Sequence, residues 1–388
     1  MIETNFKHTE IGLIPHDWEV KTLGEIGYLQ NGYAYNSHTF GDIGYTVIRI
    51  SDIKDGNVVL SDAIKSIVKA PDSFVVKKGN FLIAMSGATT GKVGLYAYEK
   101  SAYINQRVGN IICMDADSGY VRYSFNSVCF SEYLTSIITA GAQPNISKKQ
   151  IEEFAFPLPP SLAEQERIAG ALSSIDTLIG ALNEQIEKKR HIKQGTMQQL
   201  LTGKKRLAGF SGEWKICKIK NIVGSVKRGQ GLQSKDYVTG NIPVVAGGKQ
   251  YAGFHNVANH FGCTITISGS GANAGYVAFH AIPIFATDCS VIDDNDDFVL
   301  AFVYYMLLNK QGEIYKLQSG GAQPHIYPKN IEDIIVSIPP TIAEQSAIAA
   351  VLSRMDTEIA ALEQKRDKYI AIKSGMMQDL LTGKIRLV

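Results

Sequence analysis

The sequence predicts an α+β protein with two similar mixed α/β domains and an antiparallel coiled coil of two long helices. The first observation is an internal repeat, because the stretch 159–207 returns at 339–387 without a gap. The copies share roughly 27 of 49 positions and lie about 180 residues apart. The second observation is that short strand-like segments precede each copy. The chain is therefore predicted to repeat one plan twice, each time closed by the same long element.

Each copy of the repeat predicts a long helix. Apolar residues recur at steps of four and three, which is the spacing of the a and d positions of a coiled coil. The predicted seam consists of Ile168, Leu172, Ile175, Ile179 and Leu182 in the first copy and of Ile348, Leu352, Met355, Ile359 and Leu362 in the second. A proline pair precedes each helix, Ser161 or Thr341 can cap its start, and Gly203 or Gly383 suits its end.

The two helices are predicted to pair with each other. A rod of some forty residues is about 60 Å long, which exceeds the surface of one compact domain. An antiparallel pair lets each intervening segment fold near one end of the rods, whereas a parallel pair would need connections as long as the rods. The alternative is that each helix packs separately on its own domain.

Composition indicates a globular protein of 388 residues, because 45% of the residues are hydrophobic and 20% are charged. No apolar run reaches the length of a membrane span, and the N-terminus lacks the apolar core of a signal peptide, so a cytoplasmic location is expected. The net charge of +2 does not by itself indicate nucleic-acid binding. Binding to DNA would need local patches or basic partners. Widely spaced cysteines without a CxxC pair predict buried free thiols at Cys113, Cys129, Cys217, Cys263 and Cys289.

The two halves share their flanking segments but differ in the stretch between them. Trp18 and Trp214 each precede an opening strand and are predicted core residues. Further strands are predicted within 45–53, 80–87, 92–98 and 108–114, and within 242–248, 263–271, 276–286 and 289–294. A helix follows at 127–140 and 297–318, and then a matched pair of stretches at 141–160 and 321–340. Between Trp and this pair the second half is shorter by roughly 16 residues, which indicates one scaffold with two different reading surfaces.

Two glycine-rich loops invite comparison with nucleotide-binding motifs. The loop GATTGK at 87–92 is one residue short of a phosphate-binding loop, and Val93 stands where Ser or Thr is needed. The loop GSGANAG at 269–275 is followed by a strand pattern and not by the helix of a dinucleotide site. Both follow an apolar strand and begin with Ser-Gly, at Ser86 and Ser268. They are either tight hairpin turns or places where the backbone approaches a polymer phosphate.

Catalysis by this chain is not predicted. The sequence has no nucleophile elbow, no HExxH motif and no methyltransferase signature, and its histidines lack metal-ligand spacing. The recurring turns at 143–145 and 323–325 are interpreted as structural. The basic run at 188–193 could face DNA, a partner or solvent.

Candidate DNA-reading residues lie in the diverged middles. Arg and Lys suit guanine edges or phosphates, and Asn and Gln suit adenine edges. The candidates are Arg49, Lys54, Ser86, Thr89, Lys92, Gln106 and Arg107 in the first half and Lys227, Arg228, Gln230, Lys249, Gln250, Ser268 and Asn273 in the second.

Several paired motifs together resemble one known family. They are IGLIPHDWEVKTLGEI and GFSGEWKICKI at the openings, the turn GAQPNIS, the helix start PLPPSLAEQERIAGAL and the ending LLTGKIRL. Over the whole chain this order resembles the specificity (S) subunit of type I restriction-modification systems. The resemblance implies target-recognition domains at 1–158 and 208–338 and helical repeats at 159–207 and 339–388, related by a pseudo-twofold axis. One departure is Ser346, which stands where the first copy has Glu166 and would make the two partner contacts unequal.

The resemblance also implies a function. Each domain would read one part of a bipartite double-stranded DNA target, which is asymmetric because the domains differ. Two methyltransferase (M) subunits would bring S-adenosylmethionine and methylate adenine, and usually two restriction (R) subunits would use ATP and Mg to cleave. The S subunit itself would hold no cofactor and no catalytic residue. The competing hypotheses are a coiled-coil scaffold without DNA recognition and a nucleotide-binding enzyme built on GATTGK.

Overall fold

The computed structural model describes residues 5–54, 56–138 and 144–388. The chain divides into two compact units. Unit 1 comprises Met1–Ala181 and Lys365–Val388, and unit 2 comprises Leu182–Gln364. Each unit therefore contains one globular part and one segment of each long helix. Among the described helices, none is both long and apolar enough to cross a membrane.

Unit 1 is built from short strands in two main sheets. Its strands are β1 (Phe6–Thr9), β2 (Gly12–Pro15), β3 (Glu19–Thr22), β4 (Gly27–Asn31), β5 (Phe40–Gly41), β6 (Tyr45–Ile48), β7 (Ile53–Lys54), β8 (Asn57–Val58), β9 (Ile64–Ser66), β10 (Val75–Val76), β11 (Phe81–Ala84), β12 (Val93–Leu95), β13 (Ala102–Ile104), β14 (Val108–Cys113) and β15 (Ala155–Leu158). Its helices are α1 (Leu23–Ile26), α2 (Ser118–Ser124), α3 (Val128–Ile137) and α4 (Lys148–Glu152), and α5 (Leu162–Leu200) begins in this unit.

Unit 2 follows the same order with fewer strands. Its strands are β16 (Lys215–Lys218), β17 (Lys227–Arg228), β18 (Ile242–Val245), β19 (Gly253–His255), β20 (Thr264–Ser268), β21 (Val277–His280), β22 (Phe285–Ala286), β23 (Cys289–Asp293) and β24 (Ile335–Ile338). Its helices are α6 (Lys220–Val223), α7 (Leu300–Asn309), α8 (Gln311–Lys316) and α9 (Pro328–Glu332), and α10 (Ile342–Leu381) begins in this unit.

Every sheet of unit 2 has a counterpart in unit 1. The orders β17-β23-β20-β21, β19-β18-β22 and β16-β24 of unit 2 repeat β4-β14-β11-β12, β9-β6-β13 and β3-β15 of unit 1. Within its described residues, unit 1 adds β8 and β7 to one sheet, β5 and β10 to the other, and the hairpin β1-β2. Each main sheet of unit 1 includes a parallel pairing, β12 with β8 and β13 with β6. The predicted mixed α/β fold in a duplicated frame is confirmed. The extra strands β5, β7, β8 and β10 account for the longer middle of the first half.

The long helices begin and end as the sequence predicts. Helix α5 has 39 residues and α10 has 40. At the start of α10 the Glu344 N–H donates to Thr341 Oγ1 over 3.3 Å, as in an N-cap. Gly203 and Gly383 follow the helices with φ of +71° and +70°, which is the left-handed conformation that ends helices.

In each unit, a segment of α5 runs antiparallel to a segment of α10. Ion pairs between the two repeats include Lys373–Asp176 and Arg386–Glu164 in unit 1 and Lys193–Asp356 and Arg206–Glu344 in unit 2. In every pair, a residue near or beyond the end of one helix meets a residue nearer the start of the other. The predicted antiparallel pairing is therefore confirmed within both units.

The predicted seam is largely buried. Ile168 and Leu172 belong to the main core of unit 1, and Ile348 and Leu352 belong to the main core of unit 2. Among the other seam residues, the buried ones are Ile175, Leu182 and Ile359, and the half-buried ones are Ile179, Met355 and Leu362. The first turns of each helix thus serve as domain core as well as helix seam.

The basic run at 188–193 packs beside α10 in unit 2. The Lys189 ammonium lies 2.5 Å from Glu358, and Arg190 pairs with Glu363. Lys193 pairs with Asp356. The face of the helix that carries these three cations is therefore already used in helix pairing.

A Tyr-Asp-Lys cluster links each domain to the helix pair. In unit 1, Tyr123 Oη donates to Asp176 Oδ2 over 2.7 Å, and Lys373 Nζ lies 5.7 Å from the Tyr123 ring centre. In unit 2, Tyr305 Oη donates to Asp356 Oδ2 over 2.7 Å, and a lysine again lies over the ring. The same three residue types thus fix α2 and α7 to the long helices.

Two predictions about single residue types need correction. Trp18 is fully buried, but Trp214 is only partly buried, because it packs between the Gly203 turn and the Arg206 guanidinium at the unit surface. All five cysteines are free, as predicted, but only Cys289 is buried, because Cys113, Cys217 and Cys263 are half-buried and Cys129 is exposed. Cys129 is the clearest departure. It occupies the first turn of α3, whose buried contact is made by Phe130.

Candidate nucleic-acid interface

A glycine loop at residues 86–92 joins β11 to β12 in unit 1. Gly87 and Gly91 have φ of +78° and +82°, a region that favours glycine. The Thr90 N–H donates to the Gly87 carbonyl over 3.1 Å, and the Gly91 N–H donates to the Ala84 carbonyl over 2.8 Å. A side chain at Gly91 would also collide with Leu134. Both the backbone conformation and the available space therefore require glycine at Gly91.

Unit 2 contains the same loop at residues 270–276, between β20 and β21. Gly271 and Gly275 have φ of +79° and +88°. The Ala274 N–H donates to the Gly271 carbonyl over 3.0 Å, and the Gly275 N–H donates to the Ser268 carbonyl over 2.7 Å. The bonds match those of unit 1 one for one, so SGATTGK at 86–92 corresponds to SGANAGY at 270–276.

This correspondence corrects the predicted pairing of the loops. The sequence suggested that Ser86 matches Ser268, whereas the hydrogen bonds match Ser86 with Ser270. The difference arises because β20 extends through Ser268 before the loop begins. Ser268 is buried, and its hydroxyl donates to the Gly247 carbonyl over 2.7 Å. Its polar group is therefore satisfied inside unit 2.

The recurring Gln-Pro turns pack against the glycine loops. In unit 1, the Gly87 N–H donates to the Pro144 carbonyl over 2.9 Å. In unit 2, the Gly271 N–H donates to the Pro324 carbonyl over 3.0 Å. Gln143, which begins the first turn, lies outside the described residues. The described part of each turn has the structural role that the sequence indicated.

The ends of neighbouring strands meet at the same edge. The Met85 N–H donates to the Arg107 carbonyl over 2.9 Å, and the Asn105 N–H donates to the Ile48 carbonyl over 2.9 Å. In unit 2, the Gly269 and Thr287 N–H groups make the equivalent bonds. We call this surface the loop edge. It comprises Gly32, Arg49, 86–90, 105–107 and 144–145 in unit 1 and 229–230, 246–248, 270–274, 287–288 and 324–325 in unit 2.

Several predicted residues of unit 1 lie on this edge. They are Arg49, Ser86, Thr89, Gln106 and Arg107. Lys92 is exposed immediately after the loop, before β12, and Lys54 lies on the outer strand β7. The Arg49 side chain is partly engaged, because its Nη2 donates to the Asp62 carbonyl over 3.2 Å. The structure thus brings together five of the seven residues singled out in this half.

Fewer predicted residues of unit 2 lie on its loop edge. Gln230 and Asn273 belong to it, and Lys249 and Gln250 follow it directly. Lys249 Nζ lies 5.6 Å from the Tyr276 ring centre. Arg228 is exposed on β17, and its neighbour Lys227 pairs with Asp293 over 2.9 Å.

Two hydroxyls of the first glycine loop lack partners. Ser86 Oγ and Thr89 Oγ1 are buried, and neither makes a hydrogen bond to any described residue. A buried polar group without a hydrogen-bond partner destabilises the fold by about 1–3 kcal/mol. Such groups are often found at functional sites. The loop therefore holds hydrogen-bonding capacity that the described part of the chain does not use.

Sequence reasoning missed Asn105, Ser270, Asp288 and His325 at the loop edges. Asp288 matches Arg107, because each carbonyl accepts from the residue that precedes the Ser of the loop. Aligning SGATTGK with SGANAGY would have identified Ser270. Asp288 could be found only through strand pairing, because the segments before β14 and β23 differ in sequence.

Comparison with known proteins identifies a family. The family model described as the type I restriction modification DNA specificity domain matches residues 15–189 and 211–371. The putative type I restriction enzyme MjaX specificity subunit of Methanocaldococcus jannaschii is 26% identical, with 99% of this chain and 97% of the relative covered. The MjaIX specificity subunit of the same organism is 32% identical over 48% of this chain and 44% of the relative.

A solved structure shares the fold over nearly the whole chain. The crystal structure of the type I restriction-modification S subunit from M. genitalium superposes with a TM-score of 0.69 at 18% identity, covering 98% of this chain and 97% of that chain. The family model matches each half of the chain once, and the stretch between the two matches, residues 190–210, is not covered. With its two mixed α/β domains and long helices, the chain therefore belongs to the type I restriction modification DNA specificity family.

Proposed function

We propose that the chain reads a bipartite, asymmetric double-stranded DNA target, one part with each unit. The observation that carries this proposal is the presence of two loop edges with matching backbone hydrogen bonds and different side chains. Family membership supports DNA as the ligand. A constant backbone frame presents a reading surface, and the side chains on it select bases.

The chemistry of the two edges predicts unlike half-sites. The edge of unit 1 presents Arg49 and Arg107, which favour guanine edges or phosphates. The edge of unit 2 presents Gln230 and Asn273, whose amides favour adenine. Because the donors and acceptors differ, the two parts of the target should not be related by symmetry.

The proposal includes the partners of such a subunit. The chain would direct two methyltransferase subunits, which use S-adenosylmethionine to methylate adenine, and restriction subunits, which use ATP and Mg to cleave. It would act in the cytoplasm and contribute positioning, without catalytic residues of its own. The names of its relatives, which are specificity subunits of restriction enzymes, support this assignment.

The test is single-molecule methylome sequencing of a host that expresses this chain together with a methyltransferase (M) subunit of its restriction-modification system. The control is the same host lacking only this chain. We expect a new bipartite N6-methyladenine motif with two unlike halves. The motif would give the bases and the unread spacer directly.

Two results would contradict the proposal. A palindromic motif would show that the loop edges read alike. The absence of any new motif, with the methyltransferase active alongside another specificity subunit, would favour a scaffold without DNA recognition.

A further inference from the structure

One position of the loop edge carries opposite charges in the two units. Arg107 in unit 1 and Asp288 in unit 2 each directly precede an interior strand of their sheet, β14 or β23. The Arg107 carbonyl accepts from Met85 over 2.9 Å, and the Asp288 carbonyl accepts from Gly269 over 3.0 Å. In both units the donor directly precedes the Ser of the glycine loop. The two residues therefore occupy one place in the frame.

The Arg107 guanidinium is free to meet a ligand. The residue is exposed, as is its neighbour Gln106. Among the described residues, no carboxylate lies within ion-pair distance of the Arg107 side chain. A guanidinium offers hydrogen-bond donors only, in a planar fork that matches two acceptors at once.

The Asp288 carboxylate is held in one orientation instead. Ser270 Oγ donates to Asp288 Oδ2. A Cβ at Gly269 would lie 3.0 Å from Asp288 Oδ1, and one at Gly247 would lie 3.5 Å from Oδ2. The glycines thus leave room for an acceptor that is fixed in place before any ligand arrives. An ionised carboxylate offers acceptors only.

These opposite chemistries match the two members of one base pair. Guanine presents the acceptors O6 and N7 in the major groove, and cytosine presents the N4 amino donor. DNA phosphates repel a carboxylate. On a reading surface, a directed hydrogen bond from a base to the carboxylate offsets this repulsion. An arginine at the same place is attracted by the phosphates as well.

We propose that this position determines specificity in both units. Arg107 donates to a guanine in the half-site read by unit 1, and Asp288 accepts from a cytosine amino group in the half-site read by unit 2. The assignment rests on the proposed function, because it presumes that the loop edges face DNA. It goes beyond that function by naming one base and one reading residue in each half-site.

The experiment compares wild type with Arg107→Gln and Asp288→Asn in the full chain, complexed with its methyltransferase partner. Bound duplexes are selected from a library in which both half-sites are randomised, and they are then sequenced. We expect Arg107→Gln to reduce discrimination at one guanine by about 5- to 150-fold and to leave the other half-site unchanged. Asp288→Asn should do the same at one cytosine of the other half-site.

Matched controls remove one charge of the same sign away from the loop edge. Lys100 and Asp296 are exposed, and they follow strands that run away from the edge. Lys100→Gln and Asp296→Asn should leave every base preference unchanged.

Three outcomes overturn the inference. A loss of affinity that is equal for all sequences, with a shallower salt dependence, would make Arg107 a phosphate contact. Unchanged preferences in both variants would show that neither residue reads a base. In these two cases the wild-type motif, and thus the proposed function, still stands. If wild type itself selects no motif, the proposed function and this inference both fail.

Discussion

Units 1 and 2 hold the same arginine of their repeat ending in different ways. In unit 1, Arg386 makes a two-pronged contact with Glu164 at 2.5 and 2.8 Å and a second one with Asp17 at 2.9 Å on both prongs. In unit 2, Arg206 makes the first contact with Glu344 at 2.5 and 2.7 Å. Its second partners are backbone carbonyls, those of Gly212 and Ser211. The arginine–glutamate contact is thus kept in both units, whereas the second partners of the arginine differ.

The contact that both units keep explains why the repeats resemble each other more than the domains do. Each ion pair joins the start of one repeat to the end of the other. The glutamate of AEQ in the first copy therefore pairs with the arginine of RL in the second copy, and the glutamate of the second copy pairs with the arginine of the first. The glutamate side chains are only 3% and 1% exposed, so a mismatch would leave a buried charge. The loop edges carry no such mutual constraint. Their side chains can differ while the backbone stays the same.

The largest effect should follow from breaking these pairs. We expect Arg206→Ala to reduce the free energy of unfolding of unit 2 by about 3 kcal/mol, because Glu344 is left buried and unpaired. Arg386→Ala should cost unit 1 up to about 5 kcal/mol, because Glu164 and Asp17 both lose their partner. Hydrogen exchange followed by mass spectrometry measures the two units separately.

A double variant is the matched control for unit 1. Glu164→Gln with Arg386→Met removes both charges, so it should cost less than Arg386→Ala alone. If the single and double variants exchange at equal rates, the buried charge is not the cause. If Arg386→Ala accelerates exchange in unit 2 as strongly as in unit 1, the contact is not confined to its own unit.

The glycine loops give the next largest effect. A Cβ at Gly275 would lie 2.6 Å from Ile326 and 3.0 Å from Ile314, both fully buried, whereas Gly91 faces the half-exposed Leu134. We expect Gly275→Ala to cost about 3 kcal/mol from overpacking and positive φ, and Gly91→Ala to cost about 2 kcal/mol, because the half-exposed Leu134 can move aside. Urea denaturation measures both.

Gly271→Ala separates the two causes in the same loop. Its φ is also positive, but nothing lies within 4 Å of its Cβ position. It should therefore cost only the backbone strain, about 1–2 kcal/mol. Equal costs for Gly271→Ala and Gly275→Ala would rule out overpacking at Gly275.

The sequence was a sufficient guide wherever one segment determines its own structure. The prolines before each helix and the glycines after it mark the ends of α5 and α10, and the seam spacing predicts their pairing. The loop equivalence was wrong by one Ser-Gly step, because two such pairs follow each other at 268–271 and only β20 pairing chooses between them. Asp288 was missed for a related reason. Its match to Arg107 exists in the sheet register and not in the local sequence.

The short edge strands β5 and β10 of unit 1 could not be predicted from the sequence either. Strand β5 pairs with β9 through two residues, and β10 pairs with β13 through two residues. Segments so short have no detectable alternation, so their pairing depends on contacts made elsewhere in the sheet. The candidate residues of unit 1 were chosen as polar and basic groups of the diverged middle, and five of them lie on the loop edge. Lys227 and Ser268 show that residue type alone does not predict which polar groups remain available.

A smaller effect is expected from the tyrosine hydroxyls. Burial raises the pKa of Tyr123 and Tyr305, so both stay protonated donors at neutral pH. Tyr123→Phe should reduce the free energy of unfolding by about 1 kcal/mol, since Asp176 keeps its lysine. Tyr305→Phe should cost slightly more, because Tyr305 Oη, which donates its hydrogen to Asp356, also accepts from the Ser353 hydroxyl 3.2 Å away. A reversed order in urea denaturation would contradict this reading of the two clusters.

The smallest effect concerns an ionic cluster of unit 2. Burial alone would raise the pKa of Asp293, but hydrogen bonds from Lys227 and His260 outweigh it and lower the pKa below the usual 3.8. A lowered pKa in the folded state means that Asp293 stabilises unit 2 above its unfolded pKa and that this stability is lost as pH falls. In Lys227→Met the pKa of Asp293 should rise, so the loss should begin at a higher pH. An NMR pH titration of the Asp293 carboxyl group measures this.

The control for this prediction is the exposed pair Lys218–Asp333, 2.7 Å apart. Lys218→Met should leave the pKa of Asp293 unchanged. An unchanged pKa in Lys227→Met would mean that the Lys227–Asp293 contact does not persist in solution, and Lys227 would then be available to DNA. A raised pKa together with unchanged DNA affinity would instead remove Lys227 from the candidate DNA-binding residues. Arg228 on β17 and Gln230 directly after it, both exposed, would then remain the candidate DNA contacts of this segment.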